Sequence, residues 1–165
     1  MQIGKIINKA NKKYRSQNFS GISFNSKECR NGNIFFAIKG SKNNGNKFIK
    51  DAIKRGAKTI ISNQKYQGYK KKILYLHNSN PRKLLSKVAN KIYNKKPNNI
   101  IAVTGTNGKS SIVNFYFQIL NINKAKVASI GTLGINFPYG NKKINNTTLD
   151  PLTLNKTLEV LKKNI

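Results

Sequence analysis

The chain has 165 residues and carries 32 Lys and Arg against 4 Asp and Glu, a formal charge of +28. This length accommodates one or two small domains with a real core, and no run of about 18 apolar residues exists that could span a bilayer. With only Glu28, Asp51, Asp150 and Glu159 as acids, a lone His77 and a single Cys29, the sequence argues against paired-carboxylate acid–base chemistry, a clustered metal centre and an internal disulfide.

In chain order, Ile3, Ile6, Ile7 and Ala10 share one face of a short opening helix, followed by a polar turn near Arg15 to Asn18. The start, MQIGKIINKANKKY, lacks the continuous apolar segment of a secretory signal, so a soluble cytoplasmic protein is expected. Asn33 to Lys39 is an apolar strand entered through Asn31-Gly32 and left through Gly40-Ser41. Phe48, Ile49, Ala52 and Ile53 form a helical stripe closed by Gly56, placed where a C-terminal cap glycine belongs. Lys58 to Ser62 and Lys72 to Leu76 are expected as buried strands, with the polar residues from Asn63 to Lys71 as a loop between them. Leu84, Leu85, Val88, Ala89, Ile92 and Tyr93 mark a helix with Pro81 at its first turn and Lys95 to Asn98 at its end. A domain boundary is placed there, giving domains 1–98 and 99–165.

Beyond the boundary the order is an apolar strand over 100–104, a Gly-Thr-Asn-Gly-Lys-Ser turn, a helix over 110–121 and a strand from Lys126 to Ile130. A Gly-Thr-Leu-Gly turn, a polar loop and a last helix from Pro151 to Lys163 complete it. The alternation favours an α/β fold, with a small N-terminal α/β domain followed by the start of a parallel-sheet phosphate-loop domain.

The turn over 105–111 carries the chemistry. Gly105 and Gly108 allow backbone conformations closed to other residues, and a helix N-terminus behind them favours negative charge. Lys109 adds a positive charge, and Ser110 supplies the hydroxyl that such loops place on a phosphate-bound Mg²⁺. The general pattern G-x-x-x-x-G-K-[ST] would want glycine at Val103, so the match is to a shorter variant. The site reads as an ATP site formed by Gly105, Thr106, Asn107, Gly108, Lys109, Ser110 and Ser111, with Ser110 toward the metal; an ordinary tight turn is the alternative.

The charge invites a nucleic-acid partner. However, 28 of the basic residues are Lys, and only Arg15, Arg30, Arg55 and Arg82 offer the bidentate fork that base and phosphate readers favour. Lys, Asn and Ile share A/T-rich codons, so codon usage accounts for the composition, and no recognisable aromatic–basic reading surface stands out in the sequence. No specific nucleic acid and no membrane partner are expected.

Several stretches resemble the Mur ligases, in particular those that add the third residue to UDP-N-acetylmuramoyl-L-alanyl-D-glutamate. The family's short phosphate loop is similar to Thr104 to Ser111. Its Asp-Ser-Arg element corresponds to Asn25-Ser26-Lys27, its Gly-Asp-Leu-Phe-Val-Ala element to Gly32 to Ala37, and its Gly-x-x-x-Asp-Gly stretch to Gly40 to Gly45. Ala52 to Ala57, Ser129 to Thr132 and Thr147 to Pro151 resemble further family stretches. The likeness implies that Phe24, Ser26, Ser41, Lys42 and Asn43 meet the uridine diphosphate end of the substrate. It implies equally that Asn146, Thr147 and Thr148 hold the muramoyl-peptide portion.

The activity implied is ATP- and Mg²⁺-dependent amide formation: the γ-phosphoryl group passes to the D-glutamate side-chain carboxylate, and the amine of diaminopimelate or lysine attacks the acyl phosphate. Lys109 is the residue assigned a catalytic part, neutralising charge on the transferring phosphoryl group. The partners implied are the UDP-N-acetylmuramoyl-dipeptide and an amino acid, bound by a monomer. Family segments expected further along, with the remaining metal contacts and the amino-acid site, have no counterpart in these residues, so a fragment inactive alone is expected. Another Mur-type or folylpolyglutamate ligase, or a non-catalytic nucleotide-binding module, are the other readings.

Overall fold

The computed structural model describes residues 1–7, 12–40, 43–144 and 149–164, and these divide into two compact units, Met1–Ile92 and Tyr93–Ile165. Among the described residues no helix is long and apolar enough to cross a membrane.

The first unit is built on a five-stranded sheet in the order β1-β2-β3-β5-β4. Its strands are β1 (Ile22–Ser23), β2 (Ile34–Phe36), β3 (Thr59–Ser62), β4 (Gly68–Lys70) and β5 (Ile73–His77). β1, β2, β3 and β5 run parallel, and β4 pairs antiparallel with β5 at the edge. The mixed α/β class with a mostly parallel sheet is therefore the observed one.

The apolar run at the centre explains the parallel arrangement. Ile34, Phe35 and Phe36 each have no exposed surface, as expected of a strand covered on both faces. Phe35 packs with Cys29, Ala37, Ile49, Ala52, Ala57, Ile60 and Ile73, while α2 (Ile49–Lys54) lies over that side. The opposite side is served by α3 (Pro81–Ile92), which buries Leu85, Val88 and Ala89, and by α1 (Ile3–Ile6), which buries Ile3 and Ile6. Asn80 caps α3, its side chain accepting from the Lys83 amide at 2.9 Å, so Pro81 occupies the first position where no amide is needed. Gly56 ends α2 at φ +103, and a Cβ there would meet the Asn31 backbone at 2.7 Å; both conformation and space demand glycine.

Two expectations change in this unit, and one strand went unforeseen. The opening helix stops at Ile6, followed by a 3₁₀ turn over Lys12–Tyr14, and Ala10 lies outside the described residues. The two-residue strand β1 is too short to leave a periodic signal. The stretch expected as a loop before β5 contains β4, joined to β5 by Lys71 and Lys72 at φ 48 and 65. Such a turn is usually marked by Asn-Gly, and its absence hid the hairpin.

The second unit contains α4 (Lys109–Ile122), an antiparallel meander of β6 (Ser129–Gly131), β7 (Gly134–Phe137) and β8 (Gly140–Lys142), and α5 (Pro151–Asn164). Asp150 caps α5, accepting at 2.9 Å from the amides of Leu152 and Thr153. The strand expected over 100–104 does not form: no described strand pairs with it, and Ile100 and Ile101 are 56% and 65% exposed. An extended apolar segment becomes a strand only where a neighbour takes its amides. In place of a parallel strand near Lys126, the chain makes the short β6 and doubles back, so the loop expected beyond it holds β7 and β8.

Phe35→Ala would leave a cavity between β2 and α2 and is expected to lower stability by about 3–5 kcal/mol. Urea denaturation followed by far-ultraviolet circular dichroism checks this; a loss below about 1 kcal/mol would contradict the packing described.

Candidate functional site

Parallel strands deliver their exits to one edge, and the carboxyl edge of such a sheet is where ligands bind in open α/β folds. Phe24, Asn25 and Ser26 follow β1, the loop from Ala37 follows β2, Asn63 follows β3, and Asn78 to Asn80 follow β5. Of the residues assigned to a uridine nucleotide, Phe24, Ser26 and Asn43 thus lie on loops at one edge of the first unit.

After β1 the chain folds tightly on itself. The Asn25 side chain accepts from the Lys27 amide at 3.1 Å and donates to Glu28 at 2.9 Å. Ser26 is buried at 5% exposure, and its hydroxyl donates to the Asp51 carboxylate of α2. That bond, joined by the Arg55 guanidinium, holds the Asp51 carboxyl below the usual range. Phe24 is half-buried beside it. Burial pushes the Cys29 thiol up, against a hydrogen bond from Ser23, so this cysteine is an inert core residue.

After β2, the loop closes through the Gly40 amide on the Asn43 carbonyl at 2.8 Å and the Gly45 amide on the Ile38 carbonyl at 2.9 Å. A Cβ on Gly45 would lie 2.5 Å from the Ile38 amide nitrogen, so the closure admits only glycine. Asn43 is exposed on this loop, whereas Ser41 and Lys42 lie outside the described residues. Beside it a cavity of about 260 Å³ is lined by Ala37, Ile38, Lys39, Asn63, Ser79, Asn80, Pro81 and Arg82. Two cations and three small polar side chains suit an anionic, hydrogen-bonding ligand. Sequence reasoning missed Lys39, Asn63 and Arg82, which become neighbours only when β2, β3 and β5 align; Arg82 directly after the α3 cap was the available signal.

In the second unit, Gly105 adopts φ +152 and Gly108 φ +76, while a Cβ on Gly108 would meet nothing within 4 Å. Backbone conformation rather than crowding is therefore what requires glycine at 108. α4 begins directly behind, with no side-chain cap, and its first backbone bond runs from the Ile112 amide to the Gly108 carbonyl at 3.0 Å. The opening amides are left for a ligand. The Lys109 ammonium donates to the carbonyls of Gly105 and Thr106, curled over the loop made by Thr106 and Asn107. Ser110 donates to the Thr132 hydroxyl at 3.3 Å, and Ser111 is exposed on the first turn.

Thr132, at the β6–β7 turn, is a partner of the loop that sequence order did not reveal. These groups fit a nucleoside triphosphate: uncapped amides and an ammonium for phosphate oxygens, and a hydroxyl pair as hard donors for Mg²⁺. No group of three His, Cys, Asp or Glu able to hold a metal exists among the described residues. Asn146, Thr147 and Thr148 lie outside the described residues.

The fold defines a mixed α/β protein built on a mostly parallel sheet. Residues 18–102 match the model of the Mur ligase family catalytic domain and residues 103–165 that of the Mur ligase middle domain; the chain belongs to the Mur ligase family. It is 39% identical over 155 residues to the UDP-N-acetylmuramoyl-L-alanyl-D-glutamate–2,6-diaminopimelate ligase of Rickettsia conorii, covering 92% of this chain and 32% of that one. The ligase of the same name from Rhizobium meliloti is 35% identical over 141 residues, covering 86% and 29%. A solved structure of such a diaminopimelate ligase superposes with a TM-score of 0.80 at 25% identity, over 99% of this chain and 34% of that chain. A MurF ligase from Thermotoga maritima in complex with ADP shares the fold at a TM-score of 0.53 and 24% identity, over 81% of this chain and 28% of its own. The chain spans about a third of the length of the curated relatives it matches.

The Ser26–Asp51 contact has a pH signature. Because the folded-state pKa of Asp51 lies below its unfolded value, the contact stabilises the protein above about pH 4 and is lost as pH falls through the folded pKa. Asp51→Asn is expected to flatten the acid limb of a stability-versus-pH curve, and Ser26→Ala to raise the Asp51 pKa in a carboxyl NMR titration. An unmoved Asp51 in Ser26→Ala would show that the hydroxyl points elsewhere.

Proposed function

We propose that the chain forms the uridine-nucleotide-binding unit and the phosphate loop of an ATP-dependent ligase. This ligase joins 2,6-diaminopimelate to UDP-N-acetylmuramoyl-L-alanyl-D-glutamate in peptidoglycan precursor synthesis. The observation that carries the reading is the glycine–lysine loop, with its positive-φ glycines and uncapped helix, in a chain matching diaminopimelate ligases over 92% of its length. The relatives' names favour diaminopimelate over lysine as the incoming amino acid. Cell-wall synthesis from a soluble precursor places the reaction in the cytoplasm.

In the mechanism this implies, the first unit binds and orients the UDP-linked substrate at the carboxyl edge, through Phe24, Ser26, Ser41, Lys42 and Asn43. The cavity bordered by Lys39 and Arg82 receives part of its anionic moiety. Asn146, Thr147 and Thr148 take the muramoyl peptide. At the loop, the amides of Gly108, Lys109 and Ser110 cradle phosphate oxygens. Lys109 leaves the Gly105 and Thr106 carbonyls to neutralise charge on the transferring group, which passes to the D-glutamate carboxylate and leaves ADP. The resulting acyl phosphate loses its phosphate when the incoming amine attacks. Ser110, whose hydroxyl is tied to Thr132, would be a ligand for Mg²⁺, and the ion would supply charge neutralisation of the triphosphate. The 165 residues supply binding and phosphate positioning and are expected not to turn over alone.

Calorimetric titration tests both halves separately. Lys109→Ala is expected to weaken Mg-ATP about tenfold or more while leaving the muramoyl nucleotide unaffected. Ser26→Ala is expected to weaken only the muramoyl nucleotide, with Asp51→Asn as the control for loop positioning. Mg-ATP affinity indifferent to Lys109 would end the phosphate-loop assignment. Absent binding of the muramoyl nucleotide would leave only a generic nucleotide-binding module.

A further inference from the structure

The geometry points to a surface for single-stranded nucleic acid, bound without sequence preference, along the outer edge of β4. Four tyrosines meet there, three from the β4–β5 hairpin region and Tyr14 from far earlier in the chain. Tyr69 stacks edge-on against Tyr14 and Tyr66 edge-on against Tyr75, each pair with ring centroids 5.8 Å apart. Tyr69 lies opposite Leu74, and Tyr75 lies opposite Gly68, so the two pairs occupy opposite faces of the sheet and bracket its unpaired edge.

The outer ring of each pair is held rigidly yet remains open. Tyr66 is 49% and Tyr69 48% exposed. The Tyr66 hydroxyl donates to the Tyr69 carbonyl at 3.1 Å, and that of Tyr69 to the Gln17 side chain at 2.9 Å. Half-exposed rings fixed at both ends are what unstacked bases pack against.

Charge complements the rings. Lys65, Lys70, Lys71 and Lys72 are all exposed around this edge, and no acidic residue occurs between Asp51 and Asp150. The two acids of the first unit are already engaged, Glu28 by Asn25 and Asp51 by Arg55. Codon usage accounts for a lysine-rich composition but not for the hairpin turn. Lys71 and Lys72 both sit at positive φ, where Asn, with equally A/T-rich codons, is far better tolerated. Two strained lysines at the hairpin tip put two exposed cationic side chains at the end of the strand that carries Tyr69, available to the backbone phosphates of a bound single strand. A membrane surface offers the same anions but nothing for two rings on opposite faces of an edge.

Fluorescence anisotropy of the purified chain with a labelled oligothymidylate of about 12 nucleotides, across a salt series, tests this. The single strand is expected to bind more tightly than a duplex of equal length. Tyr66→Leu and Tyr69→Leu should each weaken binding by about tenfold without changing the salt slope. The double variant Lys71→Asn/Lys72→Gly should keep or raise the thermal midpoint, because it suits the turn, while lowering the salt slope by about 1.4. Saturating Mg-ATP should leave the affinity unchanged, separating this surface from the phosphate loop. Equal affinity for duplex, indifference to both tyrosines, displacement by Mg-ATP, or tighter capture by phosphatidylserine vesicles with the same tyrosine dependence would each overturn the assignment.

Discussion

The parallel pairing of β2 with β1 and β3 is the constraint from which the first unit follows. A strand whose three residues are all fully buried has no solvent side, so helices must cover both faces of its sheet. Parallel neighbours then need crossovers, and every crossover begins at the same edge. The turn holding Ser26, the Gly40–Gly45 closure and the capped start of α3 are adjacent for this topological reason, although about 55 residues separate the first from the last.

The second unit reaches its site by a different route. Gly105 and Gly108 set the backbone by their own φ values, and Lys109 finds its partners within four residues. The loop is local chemistry carried on one helix, and it does not need the long-range pairing that aligns the edge of the first unit. Thr132 is the exception, brought to Ser110 by the meander across an interval of 22 residues.

This difference decides what could be read from the sequence. The phosphate loop was legible because its glycines, lysine and helix are contiguous, and α2, α3 and α5 were legible because their apolar periods come with caps: Gly56, Asn80-Pro81 and Asp150-Pro151. The strands β3 and β5 stood out as buried runs. β1 and β4 were not visible because short or polar strands carry no period, and β4 is closed by a Lys-Lys turn in place of Asn-Gly. The segment 100–104 reads as a strand by composition, yet apolar residues alone do not make one without a partner for their amides. Arg82, Lys39 and the tyrosine pairs at β4 are properties of register, which no single stretch encodes.

α4 carries the phosphate loop but buries none of its residues, with Ile112, Phe115, Tyr116, Ile119 and Ile122 between 49% and 78% exposed. A 14-residue helix whose only apolar cover is a half-buried side at Val113, Phe117 and Leu120 sits near the length at which helices are marginal in water. Binding of a phosphate at Gly108 and Lys109, as proposed for this loop, would be thermodynamically linked to helix order: an anion at the N-terminus stabilises the coil-to-helix transition, and anything that covers the apolar stripe would raise the fraction of chains competent to bind. Occlusion of one side of α4 would act on the loop at its end without touching a single ligand contact.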